Sequence, residues 1–151
     1  MDCLLFRHGV AYDREDWRGS DQNRPLTEKG RVRTRQSSKG LLALGLIPTH
    51  ILSSPLTRAH DTAKIVKALM STAPPLRICQ ELHPEVPPRA LIALLNTLPS
   101  DAVVLCVGHE PHLSATAGIL LTGKRCTGLS LKKAGACSIH LEGSVRPAKG
   151  H

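Results

Sequence analysis

Aromatic residues are nearly missing from this chain of 151 residues: Phe6, Tyr12 and Trp17 are the whole set. So few rings cannot make a platform on which successive bases stack, and no nucleic-acid-binding motif stands in the sequence either. Long apolar runs are also absent, since no stretch approaches the ~18 to 20 residues that a membrane-spanning helix requires. No leader precedes the first polar motif at residue 7, so a cleavable signal segment is not expected. Paired cysteines are missing as well. The five present (3, 79, 106, 126 and 137) are odd in number, widely spaced and mostly set in apolar runs. They read as free thiols of a reducing cytoplasm rather than a disulfide framework or a zinc site. Acid is in short supply, with 12 Asp and Glu against 20 Lys and Arg and a net charge of +8. Such a balance favours anionic partners.

What is present is enough for one folded unit. The chain is 41% apolar and long enough to bury a core. Strand-like and helix-like segments alternate, which predicts an α/β domain: three layers, a mostly parallel central sheet and helices on both faces. Strands are expected at 3–7, 50–53 and 102–107, with a short edge strand at 77–79. Helices are expected over 28–45 with Thr27 as N-cap, and over 56–70 behind Pro55. Two more are expected, over 89–97 and from Pro111 to about Leu121. A terminal hairpin is expected from 128–131 and 136–141. The domain is placed at 1–142, followed by a frayed basic tail at 143–151.

Three segments carry chemistry. Cys3-Leu4-Leu5-Phe6 runs straight into Arg7-His8-Gly9, which places a cation and a potential nucleophile at the carboxyl end of a strand, where ligands of open α/β sheets bind. The glycine is expected to let the chain turn sharply and an anion approach closely. Ser53-Ser54-Pro55-Leu56-Thr57-Arg58-Ala59-His60 and Val107-Gly108-His109-Glu110-Pro111 leave two further strands in the same way. In this order the segments resemble the histidine phosphatase superfamily, the RHG phosphatases and phosphoglycerate-mutase-like enzymes. With the short chain and Arg24-Pro25-Leu26-Thr27-Glu28-Lys29-Gly30, the sequence is most similar to the SixA-type phosphohistidine phosphatase branch.

Phosphoryl transfer is mostly positioning and charge stabilisation. Arg7 and Arg58 suit it because a guanidinium donates paired hydrogen bonds and keeps its charge. Arg58 also falls in the first turn of its helix, where free N–H groups attract anions. The plain alternative for each is a solvated surface charge. His8 is the candidate nucleophile: a neutral imidazole attacks through one nitrogen while the other N–H is held by an acceptor. The resemblance implies that His109 completes the pocket, donating to phosphoryl oxygens and carrying a proton for part of the cycle. It also implies that Arg24 borders the site as a substrate-binding residue. The other histidines (50, 60, 83, 112, 140 and 151) read as surface or core residues.

A general acid has no obvious bearer. Glu110 occupies a position that varies in the family, while Glu81, Glu85 and Asp13 stand in loops that could reach the site. An imidazole leaving group needs less protonation than an alkoxide, so the gap favours phosphohistidine as substrate. The expected activity is a cytoplasmic, metal-independent phosphatase without cofactor, acting on a phosphoprotein, with no nucleic-acid or membrane partner and an oligomeric state the sequence leaves open. A small phosphorylated metabolite as substrate, or a non-catalytic phosphate-binding module, are the alternatives. Arg24, Lys29, Arg31, Arg33, Arg35 and Lys39 form either a solvated face or a docking surface for an acidic partner.

Overall fold

In the computed structural model, which describes residues 1–126 and 128–145, the chain alternates strand and helix. The strands are β1 (Asp2–Arg7), β2 (His50–Ser53), β3 (Leu76–Ile78), β4 (Val103–Gly108) and β5 (Ala136–His140). The helices are α1 (Glu28–Ala43), α2 (Thr57–Ala68), α3 (Pro88–Leu95) and α4 (His112–Thr122). Together they form a single α/β domain around one five-stranded sheet of order β3-β2-β4-β1-β5, parallel except for β5.

The sheet is buried on both faces, which is why β1 and β4 read as continuous apolar runs. Cys3, Leu5, Leu52, Val104 and Cys106 point to one face and pack with Leu91 and Leu95 of α3 and Leu113 of α4. Leu4, Phe6, Ile51, Leu105 and Val107 point to the other and meet Ala59, Ala63 and Val66 of α2. Cys3, Cys79 and Cys106 are buried free thiols, Cys137 is half-buried and Cys126 is exposed. No helix among the described residues is long and apolar enough to cross a membrane.

Helix ends follow the local chemistry. The Thr27 hydroxyl accepts the Gly30 N–H at 2.9 Å, and Gly45 closes the far end of α1 with φ +81°. The N-terminal half of α1 buries Gly30 and Thr34 instead of large side chains. A Cβ on Gly30 would stand 2.0 Å from the Val10 carbonyl oxygen, so glycine there lets α1 lie directly on the chain leaving β1.

The expected terminal hairpin does not form. Residues 128–131 make no strand, and β5 pairs antiparallel with β1 instead, Asp2 opposite His140 and Phe6 opposite Ala136. The reason lies at Leu131: its N–H goes to Glu110 Oε2 at 3.2 Å and its carbonyl accepts from Arg7 Nη1 at 2.9 Å. That backbone is committed to side chains and cannot join a ladder. Of the stretch expected as a tail, Val145 is buried and donates its N–H to Asn96 Oδ1 at 3.0 Å, while 146–151 lie outside the described residues.

Candidate active site

Three parallel strands, β2, β4 and β1, end at one level. The ladder pairs Arg7 with Gly108 and Ser53 with Val107, and it continues one step further, His8 N–H to Gly108 O and Ser54 N–H to Val107 O, both at 3.0 Å. His8, Ser54 and His109 therefore leave the sheet side by side. The crossover from β1 to β2 passes over the position β4 later fills, which opens a crevice at the carboxyl ends of the strands. Here it is a cleft of about 560 Å³, and Arg7, His8, Arg24, Arg58 and His109 all line it.

His8 is 8% exposed, and its Nδ1 lies 2.7 Å from the Gly9 carbonyl oxygen. A carbonyl only accepts, so Nδ1 carries the proton and Nε2 keeps its lone pair. Burial, chiefly, pulls the His8 pKa down to about 4, and the charges of Arg58, Arg7 and Lys133 add to the effect against the Gly9 hydrogen bond. The ring is neutral at pH 7. His109 is buried, its ring centre 5.2 Å from that of His8 and its Nε2 2.8 Å from Ser54 Oγ. Burial first, then His8 and Arg58, push its pKa down to about 2, so His109 is neutral too.

Gly9 serves a purpose other than the expected turn. Its φ is not in the left-handed region, and a Cβ there would stand 2.2 Å from Thr34 Oγ1 and 3.2 Å from the Gly30 carbonyl oxygen. Its N–H donates to Thr62 Oγ1 at 3.0 Å, tying the loop after β1 to α2. Glycine here admits α1.

Arg7 holds the Leu131 carbonyl through Nη1, and its Nε is buried without a partner among the described residues. Arg58, 5% exposed, donates Nη1 to the Asp21 carbonyl oxygen at 3.0 Å and Nη2 to Asp21 Oδ2 at 3.4 Å, and its Nε too is unpartnered among the described residues. Arg24 donates Nε to Asp21 Oδ1 at 3.0 Å and Nη1 to the Tyr12 carbonyl oxygen. Asp21 thus joins three guanidinium groups, with Arg14 Nε 3.5 Å away. Burial works to raise its pKa, but the Arg24 hydrogen bond and the Arg58, Arg24 and Arg14 charges outweigh that and hold the carboxyl ionised. Sequence reasoning missed Asp21. Only its place three residues before Arg24 hinted at it.

Of the acids considered, Glu85 lines the cleft, whereas Glu81 and Asp13 do not. Glu110 lines it but accepts the Ser114 N–H on Oε1 at 3.0 Å and the Leu131 N–H on Oε2, which makes it a brace for α4 and for the loop under Arg7. His83 and Lys133 also reach the cleft, and neither was expected there. Among the described residues, no three His, Cys, Asp or Glu side chains are grouped to hold a metal ion.

The histidine phosphatase superfamily (branch 1) matches residues 3–83. An uncharacterized protein of Picosynechococcus is 40% identical over 137 residues, 89% of this chain and 82% of that one. A structure of the protein histidine phosphatase SixA complexed with tungstate superposes with a TM-score of 0.84 at 26% identity, covering 94% of this chain and 89% of that one. The phosphoserine phosphatase of Entamoeba histolytica, bound to 3-phosphoglyceric acid, shares the fold at a TM-score of 0.69 and 16% identity over 91% of this chain and 89% of its own.

Proposed function

Because the chain belongs to the histidine phosphatase superfamily, we propose that it is a phosphatase working through a phosphorylated His8, and that its substrate is phosphohistidine carried by a protein. One observation carries this reading: His8 Nδ1–H is held by the Gly9 carbonyl at 2.7 Å, which leaves Nε2 as the lone-pair nitrogen beside Arg7 and Arg58. The Nε2 lone pair attacks phosphorus, the bond from phosphorus to the substrate nitrogen breaks, and the freed imidazole takes a proton from solvent. Water then attacks phospho-His8, releasing phosphate and returning the electron pair to Nε2. Arg7 and Arg58 stabilise the charge on the equatorial oxygens. His109 donates a hydrogen bond to one of them, and Arg24 flanks the substrate.

The acids support the choice of leaving group. Asp21 is held ionised by arginines and Glu110 is tied to backbone N–H groups, so neither is set up to protonate an alkoxide. Phosphohistidine and aryl phosphates are then expected to react several orders of magnitude faster than alkyl phosphates, with Glu85→Gln changing little. A second reading, a small phosphorylated metabolite, is favoured by Glu85 at the cleft wall. Similar rates on serine phosphate and phosphohistidine, with a large loss in Glu85→Gln, would select it. We further assign the reaction to metal-free chemistry in the cytoplasm. Acid-quench trapping with a phosphohistidine protein, with and without EDTA, tests the core of the proposal. Label on His8 and full turnover in chelator are expected, and label elsewhere or metal-dependent turnover would reject it.

A further inference from the structure

The short 3-10 turn Asp21–Asn23 lays a carboxylate across the arginine meant for phosphate. Five cations (Arg7, Arg14, Arg24, Arg58 and Lys133) line the cleft against three carboxylates, those of Asp21, Glu85 and Glu110. Of these acids, only Asp21 bonds a cleft arginine directly. It takes Nη2 of Arg58, whose side chain is 6% exposed, while its own backbone carbonyl takes Nη1. A half-exposed internal acid seated on the terminal nitrogens of a buried cleft arginine describes an anion site partly filled from within.

We propose that Asp21 is an internal counter-anion, competing with the phosphoryl group for Arg58 and so setting how tightly the cleft holds phosphate and how readily it lets the product go. This rests on Arg58 being a phosphate ligand, as read above. A phosphoryl oxygen and Asp21 Oδ2 cannot share Nη2 without bringing two negative charges into contact. Entry of substrate therefore moves the carboxylate aside, and Arg24 and Arg14 already hold it from the other side at 3.0 and 3.5 Å. Through that exchange the Asp21 carbonyl keeps Nη1, so the guanidinium does not swing away. Departure of phosphate is helped by the carboxylate's return.

The test is the affinity for inorganic phosphate and for tungstate, read by calorimetry on the full chain for wild type, Asp21→Asn and Arg58→Ala. Asn is the same size and keeps the backbone carbonyl, and it removes the charge and one of the two acceptor oxygens. Asp21→Asn is expected to bind both anions about twofold to fivefold more tightly, the range of one partly exposed ion pair, and to show stronger product inhibition by phosphate. A merely structural Asp21 would give the opposite sign, because a loosened Arg58 binds anions less well. Unchanged or weaker binding in Asp21→Asn, with Arg58→Ala still losing affinity, would overturn the counter-anion role alone. Unchanged binding in Arg58→Ala would overturn both it and the assignment of Arg58.

Discussion

His8 has one nitrogen on a backbone carbonyl and the other at the cleft, in surroundings that are buried and positively charged. Those surroundings keep the ring neutral far below the pH at which a free histidine takes up a proton. Ring signals of His8 in the ligand-free protein are therefore expected to stay constant from pH 8 to 5 in a nuclear magnetic resonance titration, moving only towards pH 4. A midpoint near 6.5 would mean that the site is wetter and less cationic than described. Arg7 can be argued in the same terms. One arm grips the Leu131 carbonyl and, in the proposed mechanism, the other terminal nitrogen serves the substrate, a division of labour that lysine's single ammonium cannot copy. Arg7→Lys should lower kcat/KM on an aryl phosphate by at least ~10²-fold, and a near-normal rate would show that a point charge suffices. The residues at strand ends (Arg7, His8 and His109) and Arg58 in the first turn of α2 were legible in their placement because it depends on the strand just before them. Asp21, His83 and Lys133 were not, since their place depends on how irregular segments fold back.

Helix α1 contains two glycines with opposite meanings. Gly30 abuts the Val10 carbonyl, whereas a Cβ on Gly40 would meet nothing within 4 Å. Gly40→Ala is expected to stabilise the protein by about 0.5–1 kcal/mol, from helix propensity alone. Gly30→Ala gains the same propensity but must push backbone apart, and a net loss of ~1–3 kcal/mol is expected. Urea denaturation of the two variants checks the pair, and two shifts of one sign would refute the close approach of α1 to the loop after β1. The periodic elements were readable from sequence because each has a local cause, such as the Thr27 cap or the unbroken apolar run of β4. β5 was readable as a strand but not in its pairing. Its partner choice was decided by Glu110 and Arg7 claiming the backbone of Leu131, a long-range contact that no local pattern encodes.

For the whole molecule, buried neutral histidines couple folding to acidity. His8, His109 and His112 all have pKa values lowered mainly by burial, to about 4 for His8 and about 2 for His109. An unfolded chain takes up these protons near pH 6.5, and the folded one refuses them until much lower. Between those points the unfolded state binds more protons, so stability is fully present above pH 6.5 and falls as the pH drops towards 4. For His8 alone the loss is on the order of 3 kcal/mol. The urea midpoint should therefore decline across this window, and less steeply in His8→Asn. A midpoint independent of pH from 7 to 4 would contradict the burial of these rings.

The shared ladder of β1 and β4 also limits how this chain can vary in length. One residue inserted between Asp2 and Arg7 would turn His8 to the opposite side of the sheet, and two would carry it ~7 Å beyond His109. Both changes would leave a foldable sheet with its two histidines out of step. The exposed stretch 12–20, with Arg14 on the cleft wall, faces no such rule. Growth and shortening are thus open to the loops at the rim and closed to the two strands beneath, so a lineage can remodel what enters the cleft while the spacing of its paired imidazoles stays untouched.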